Sequence, residues 1–112
     1  MPLITITPAE GTWVIRAGGA VLGESTRALA LTEGDYDPVI YFPREDIAMT
    51  FLDRSDRTTT CPHKGIASYY SIVTNNGTIA DAVWSYEEAK GSAKPISGYL
   101  AFYPDKVAVE QV

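Results

Sequence analysis

The chain has 112 residues and a mass of 12.2 kDa, which fits one domain. Hydrophobic residues make up 46% and charged residues 21%, so a disordered or fibrous protein is excluded, and no apolar run approaches the roughly 18 residues of a membrane span. Nine Lys and Arg against 14 Asp and Glu give a net charge of −5, which argues against binding to duplex nucleic acid or to a membrane surface.

Cysteine content indicates the compartment. One cysteine forms no internal disulfide and builds no cysteine-rich zinc site. The start, MPLITITPAEG, lacks the basic region and long apolar stretch of a signal peptide. We therefore expect a cytoplasmic protein with no metal ion and no other cofactor.

The first half of the chain indicates short strands. Two apolar runs, 13–16 and 20–22, flank Gly18-Gly19 and predict a hairpin. Residues 28–32 (ALALT) fit a helix or a strand equally well. The run 39–42 is β-branched and aromatic and ends at Pro43, after which 44–47 predicts one helical turn.

The second half contains the clearest turn, in IVTNNGTIADAVW. Asn76-Gly77 is typical of a type I′ turn and predicts antiparallel strands near 67–74 and 78–84. This register places Tyr69, Trp84 and Tyr86 on one face, because strand side chains alternate. The predicted pairs are Tyr69 with Trp84, Ala67 with Tyr86, Ser71 with Ala82, Tyr70 with Val83 and Ile72 with Asp81.

The C-terminal part continues the pattern. A strand over 99–103 places Leu100 and Phe102 on one side, and a turn after Tyr103 leads into a last strand at 107–109. About eight short strands separated by turns predict an all-β domain with one or two helical turns, spanning residues 1–112.

Five segments carry a resemblance to a known family: AGGAVLGESTRALAL, YFPREDI, TCPHKGIASYYSI, AVWSYEEA and ISGYLAFYPDKV. In this order they resemble the bacterial DUF427 family, a domain of unknown function sometimes labelled nucleotidyltransferase-like. The resemblance implies a β-tent (Mss4-like) fold of two antiparallel sheets with a pocket between them. The zinc site of many β-tent proteins needs two Cys-x-x-Cys pairs, which are absent here, and no phosphoryl-transfer motif supports the nucleotidyltransferase label.

The segment from Cys61 to Gly65 carries the most reactive side chains. Lys64 and His63 lie close enough in sequence to stabilise a Cys61 thiolate, which predicts a cysteine-dependent enzyme as one alternative. His63 is the only histidine, so a Cys–His mechanism must use it. The competing interpretation is that Cys61 is a small buried residue beside a proline-containing loop.

Arg44 is the second candidate. It follows a strand end and is placed to bind a carboxylate or phosphate, or alternatively to pair with a neighbouring acid such as Asp46. Ser25 and Arg27 either join the same polar cluster or form a local turn.

Three functional hypotheses follow. The first is a pocket between the sheets for a small anionic or aromatic ligand, with Arg44 and Lys64 expected side by side without acidic partners. The second is the Cys61 enzyme. The third is a protein-interaction module or a homodimer formed through a sheet edge. The predicted binding residues are Arg44, Cys61, His63, Lys64, Tyr69, Trp84 and Tyr86.

Overall fold

The computed structural model describes residues 3–112, which form ten strands and three 3₁₀ turns. The strands are β1 (Ile4–Pro8), β2 (Trp13–Ala17), β3 (Ala20–Ser25), β4 (Leu29–Glu33), β5 (Val39–Tyr41), β6 (Leu52–Cys61), β7 (Gly65–Thr74), β8 (Gly77–Ser85), β9 (Ala101–Phe102) and β10 (Ala108–Gln111). The turns are Arg44–Asp46, Met49–Phe51 and Gly91–Ile96. None of the helical segments in this range is long and apolar enough to cross a membrane.

All strand pairs are antiparallel, and the all-β class is confirmed. The strands form three sheets, ordered β1-β4-β5, β10-β2-β3 and β6-β7-β8-β9. The resemblance implies two sheets, whereas three are present, because β2, β3 and β10 form ladders only with each other. One isolated bridge, between Gly23 of β3 and Ile47, connects this sheet to the 3₁₀ segment. A bridge between Phe42 and Leu100 joins the first sheet to the third. The β-tent arrangement stays a prediction.

The N-terminal hairpin forms as predicted. Ala17 pairs with Ala20 across Gly18 and Gly19, whose φ angles of 56° and 79° are accessible to glycine without strain. Residues 29–32 of the ambiguous segment lie in β4, which pairs with β1 on one side and with β5 on the other.

The β7–β8 register is partly as predicted. Tyr69 pairs with Trp84 and Tyr70 with Val83, but the turn falls at Asn75-Asn76, since Thr74 pairs with Gly77. It is not type I′, because Asp81 is the one non-glycine residue with positive φ in the described chain.

A bulge at Asp81, where φ is 49°, then adds residues to β8. Ile72 consequently pairs with Ile79, and the predicted pair of Ile72 with Asp81 is wrong. The ladder also ends at the pair of Ser68 with Ser85, so the predicted pair of Ala67 with Tyr86 does not form.

The four-stranded sheet carries apolar side chains on both faces. One core cluster contains Leu100 and Phe102, which share a side as predicted, together with Tyr70 and Val83. The other cluster lies on the opposite face and contains Tyr69 and Ala101 from this sheet. Residues of β4 and β5 pack into that second cluster, so the space between these two sheets is where the aromatic side chains collect.

Candidate functional site

A cavity of about 390 Å³ lies between the first and third sheets, and six of its eleven lining residues are aromatic. We call it the tyrosine pocket. Its lining residues are Leu31, Glu33, Tyr36, Asp37, Val39, Tyr41, Lys64, Tyr69, Trp84, Tyr86 and Tyr103. The volume lies within the range of small-molecule sites.

Strand alternation places the rings of the pocket. Tyr41 points inward from the end of β5, while Tyr69 and Trp84 are paired across β7 and β8. Tyr86 and Tyr103 follow the ends of β8 and β9. Four of the predicted binding residues, Lys64, Tyr69, Trp84 and Tyr86, therefore line one cavity.

The rings are fixed by contacts with one another. The Trp84 ring centroid lies 4.6 Å from that of Tyr103 and 6.3 Å from that of Tyr41. Trp84 Nε1–H donates a hydrogen bond to Tyr41 Oη at 3.3 Å, and Tyr103 Oη donates to Tyr69 Oη at 3.5 Å. The aromatic walls are thus preorganised by contacts within the protein.

Burial favours the neutral form of three tyrosine hydroxyls in the pocket. Burial raises the pKa of Tyr41 and that of Tyr103 to about 12, and it raises the pKa of Tyr86 further. Tyr86 Oη has no hydrogen-bond partner among the side chains and backbone of residues 3–112. The pocket therefore offers a neutral hydroxyl that is free to bind a polar group.

The positive charge of Lys64, the one lysine in the pocket lining, is balanced by a carboxylate. Lys64 lies in the turn between β6 and β7, and its Nζ donates to Glu33 Oε1, 2.7 Å away at the end of β4. The two side chains are only 12% and 18% exposed. Burial acts against the charge on Lys64, but the hydrogen bond and the charge interaction with Glu33 oppose this effect, and the pKa of Lys64 is raised.

Arg44 lies outside the tyrosine pocket. Its guanidinium donates to Glu87 Oε2 at 2.7 Å and to Gly98 O at 3.2 Å, with longer bonds of 3.4 Å to Tyr70 Oη and Ser85 Oγ. The expectation that Arg44 and Lys64 face one pocket without acidic partners is therefore wrong. Each has its own glutamate, and the rim of free cations expected for an anionic ligand does not form.

Cys61 and His63 are not brought into the tyrosine pocket either. Cys61 ends β6, is partly buried and packs against the second core cluster. His63 lines a separate cleft together with Lys90 and Gly91. No hydrogen bond joins Cys61 to His63 in the described part of the chain, so the enzyme alternative gains no geometric support.

Ser25 and Arg27 do join Asp46, at the far end of the turn that Arg44 begins. Ser25 Oγ donates to Asp46 Oδ2 at 2.7 Å, and Arg27 Nη2 donates to Asp46 Oδ1 at 2.8 Å. The backbone N–H of Arg27 also donates to Ser25 Oγ, so the local turn forms as well. These bonds hold β3 to the 3₁₀ turn.

Sequence reasoning missed several residues of the site. Glu33 and Glu87, the partners of the two cations, are more than thirty residues away from them in the chain, and no local pattern links them. The position of Tyr41 could have been predicted from the sequence, because its side chain alternates with those of Ile40 and Phe42 in the predicted strand. No three His, Cys, Asp or Glu side chains within residues 3–112 are arranged to hold a metal ion.

Fold and pocket together define a small all-β domain with an aromatic cavity between two of its sheets. The family model described as a domain of unknown function (DUF427) matches residues 5–112. Because this is nearly the whole chain, the protein belongs to that family, as the sequence motifs predict. No curated protein matches the chain at a significant level.

Proposed function

We propose that the protein binds a small, planar, uncharged molecule in the tyrosine pocket. The observation that carries this proposal is the combination of six aromatic rings with a lysine whose charge is already paired with Glu33. Ring faces favour a flat ligand through stacking and through the apolar area that it buries.

The charges of the pocket separate the two ligand classes expected from the sequence. Glu33 and Asp37 outnumber Lys64, so the lining carries a net negative charge. An anion would have to displace Glu33 from Lys64 or enter against this charge, and both cost free energy. These charges favour the aromatic ligand over the anionic one.

Tyr86 determines which polar group the proposed ligand should carry. Its hydroxyl is free, neutral and part of the lining, so it suits a ligand with one hydrogen-bonding group beside its ring. A hydroxyl, carbonyl or ring nitrogen meets this requirement, and each leaves the ligand uncharged.

The experiment compares two probes with the same rings, 2-naphthol and 2-naphthalenesulfonate, by isothermal titration calorimetry. We expect 2-naphthol to bind and the sulfonate to bind at least tenfold more weakly. Tyr86→Phe should weaken 2-naphthol by about fivefold, the equivalent of one ordinary hydrogen bond.

A matched pair of variants locates the site. Trp84→Leu removes a pocket wall, whereas Trp13→Leu removes the other indole, which does not line this pocket. Only Trp84→Leu should weaken 2-naphthol binding, with the fold of each variant checked by circular dichroism. No binding at millimolar 2-naphthol, or a sulfonate that binds as tightly, contradicts the proposal.

A further inference from the structure

A second cavity, of about 540 Å³, lies at the junction of all three sheets. It is lined by residues of β4, β5, β8, β9 and β10 and by the segment that leads from β1 into β2. Trp13 and Trp84, the two tryptophans of the chain, both line it. We call this cavity the indole groove. It shares Trp84 and Val39 with the tyrosine pocket but is otherwise separate.

Both indole N–H groups are already used. Trp13 Nε1–H donates to the carbonyl oxygen of Glu10 at 3.1 Å, and Trp84 Nε1–H donates to Tyr41 Oη. The two indoles therefore contribute ring surface to the groove, and Phe102 adds a third ring. Aromatic ring faces carry negative potential and attract cations.

The groove is poor in hydrogen-bond donors. Three of its twelve lining residues, Pro8, Pro38 and Pro104, have no backbone N–H. The backbone N–H of Ala9, another lining residue, is bonded to Ala28 O. A ligand that needs donors, such as a carboxylate or a phosphate, finds few of them here.

Charge distinguishes the groove further. Among its twelve lining residues, all within the described chain, Glu10 is the one that carries a charge, and its side chain is exposed. Its backbone carbonyl accepts hydrogen bonds from Trp13 and from Gln111 Nε2, which hold the turn in place. The carboxylate is in no ion pair with a described residue. The groove thus combines apolar walls with one free negative charge.

We propose that the indole groove is a second ligand site, specific for a small organic cation with an apolar body, such as an arylalkylammonium. The apolar body lies against the prolines and aliphatic side chains. The cationic head meets the indole faces and the Glu10 carboxylate. This assignment is independent of the ligand in the tyrosine pocket.

Nuclear magnetic resonance provides the test, because the two tryptophans give two indole N–H signals, assigned with Trp13→Phe and Trp84→Phe. The probes are benzyltrimethylammonium, benzyl alcohol and phenylmethanesulfonate, which share a phenyl ring and differ in charge. We expect the ammonium to shift the Trp13 signal in a saturable way. Benzyl alcohol should bind at least fivefold more weakly, and the sulfonate should not bind.

Glu10→Gln should weaken the ammonium by about fivefold and leave benzyl alcohol unchanged, since only the cation interacts with the carboxylate. Glu24→Gln, at an exposed glutamate of β3 outside the groove, is the matched control and should have no effect. Three outcomes overturn the proposal: an unmoved Trp13 signal, equal affinities for ammonium and alcohol, or full ammonium affinity in Glu10→Gln.

Discussion

Arg44 and Lys64 are each bonded to a glutamate at 2.7 Å and each lie beside a tyrosine ring at 5.8 Å, yet their surroundings differ. The side chains of the Lys64–Glu33 pair are 12% and 18% exposed, whereas those of the Arg44–Glu87 pair are 33% and 35% exposed. Lys64 faces a cavity, while Arg44 has its donors directed at four protein acceptors.

The comparison shows that two ion pairs of similar geometry, Arg44–Glu87 and Lys64–Glu33, have different structural roles. Arg44 is a clamp between the turn that it begins, the end of β8 and the loop at Gly98. The Lys64–Glu33 pair crosses from the third sheet to the first at the tyrosine pocket, and it cancels a charge on the wall. A positive residue beside aromatic rings therefore indicates an anion site only if no acidic side chain of the protein already pairs with it.

The largest effect is expected from removing one member of the more buried pair. Lys64→Met leaves Glu33 charged and without its partner, which should lower the free energy of unfolding by about 3 kcal/mol. Urea denaturation at neutral pH measures this loss. The double variant Glu33→Leu with Lys64→Met should recover most of it, since no buried charge remains. A loss below about 1 kcal/mol in Lys64→Met would place this pair with ordinary surface salt bridges.

Arg44→Met should cost less, about 2 kcal/mol, because Glu87 is more exposed and keeps a hydrogen bond from Tyr70 Oη at 2.6 Å. The control is Arg16→Met, which breaks a pair with Glu110 whose side chains are about half exposed. That control should change the free energy of unfolding by less than about 0.5 kcal/mol. Equal losses in the two variants would show that the Arg44 network is no more than a surface contact.

Alkaline pH should lower the stability of the fold through Tyr41, whose buried hydroxyl lies in the lining of the tyrosine pocket. The pKa of Tyr41 is about 12 in the fold, while an unfolded tyrosine ionises near pH 10. Between these values the folded state keeps a proton that the unfolded state releases. The stabilisation is therefore complete below pH 10 and is lost as pH rises toward 12, by about 1.4 kcal/mol per pH unit.

Urea midpoints at pH 9, 10 and 11 measure this slope, and Tyr41→Phe should reduce it. Tyr36→Phe, at a ring that is 76% exposed, is the matched control. If Tyr41→Phe and wild type lose stability in parallel above pH 10, Tyr41 is not the source.

Local patterns predicted much of the fold, because turns and alternation depend on neighbouring residues. The Gly18-Gly19 hairpin, the shared face of Tyr69 and Trp84, and the side of Leu100 follow directly from such patterns. The turn at Asn75-Asn76 and the bulge at Asp81 do not follow from such patterns. The turn shifts the register of β8 in one direction and the bulge shifts it back, so Tyr69 pairs with Trp84 as it would without either irregularity.

The site was predictable only where it depends on strand faces. Tyr69 and Trp84 meet because they are paired on one side of one sheet, whereas Tyr86 follows directly after the end of β8. Alternation along β5 of the first sheet brings Tyr41 to the same cavity. The pairing of Lys64 with Glu33 depends on how two sheets pack, which no local pattern encodes. The ligand class that we propose depends on this pairing and on the net negative charge of the lining, and not on the presence of a lysine alone.

The smallest effect is expected at Asp46, which anchors the opposite end of the turn that Arg44 begins. Its hydrogen bonds from Arg27 and Ser25 lower the pKa of this carboxyl. A lowered pKa means that the stabilisation is present above the ordinary value of 3.8 and is lost as pH falls through the folded value. Ser25→Ala should cost about 1 kcal/mol at neutral pH, because Ser25 is 2% exposed and donates to Asp46.

Asp46→Asn removes the negative charge of this side chain but keeps its size, so it tests the charge separately from the packing of the turn. It should lower stability at pH 7 and flatten the decline of stability below pH 4, since no carboxylate remains there to take up a proton. Combined with Arg44→Met, it should show coupling if the two residues fix one rigid turn, and simple additivity if they act on separate ends. Thermal unfolding between pH 3 and pH 7 measures both effects. An acid limb in Asp46→Asn as steep as in wild type would assign the acid sensitivity to other carboxylates.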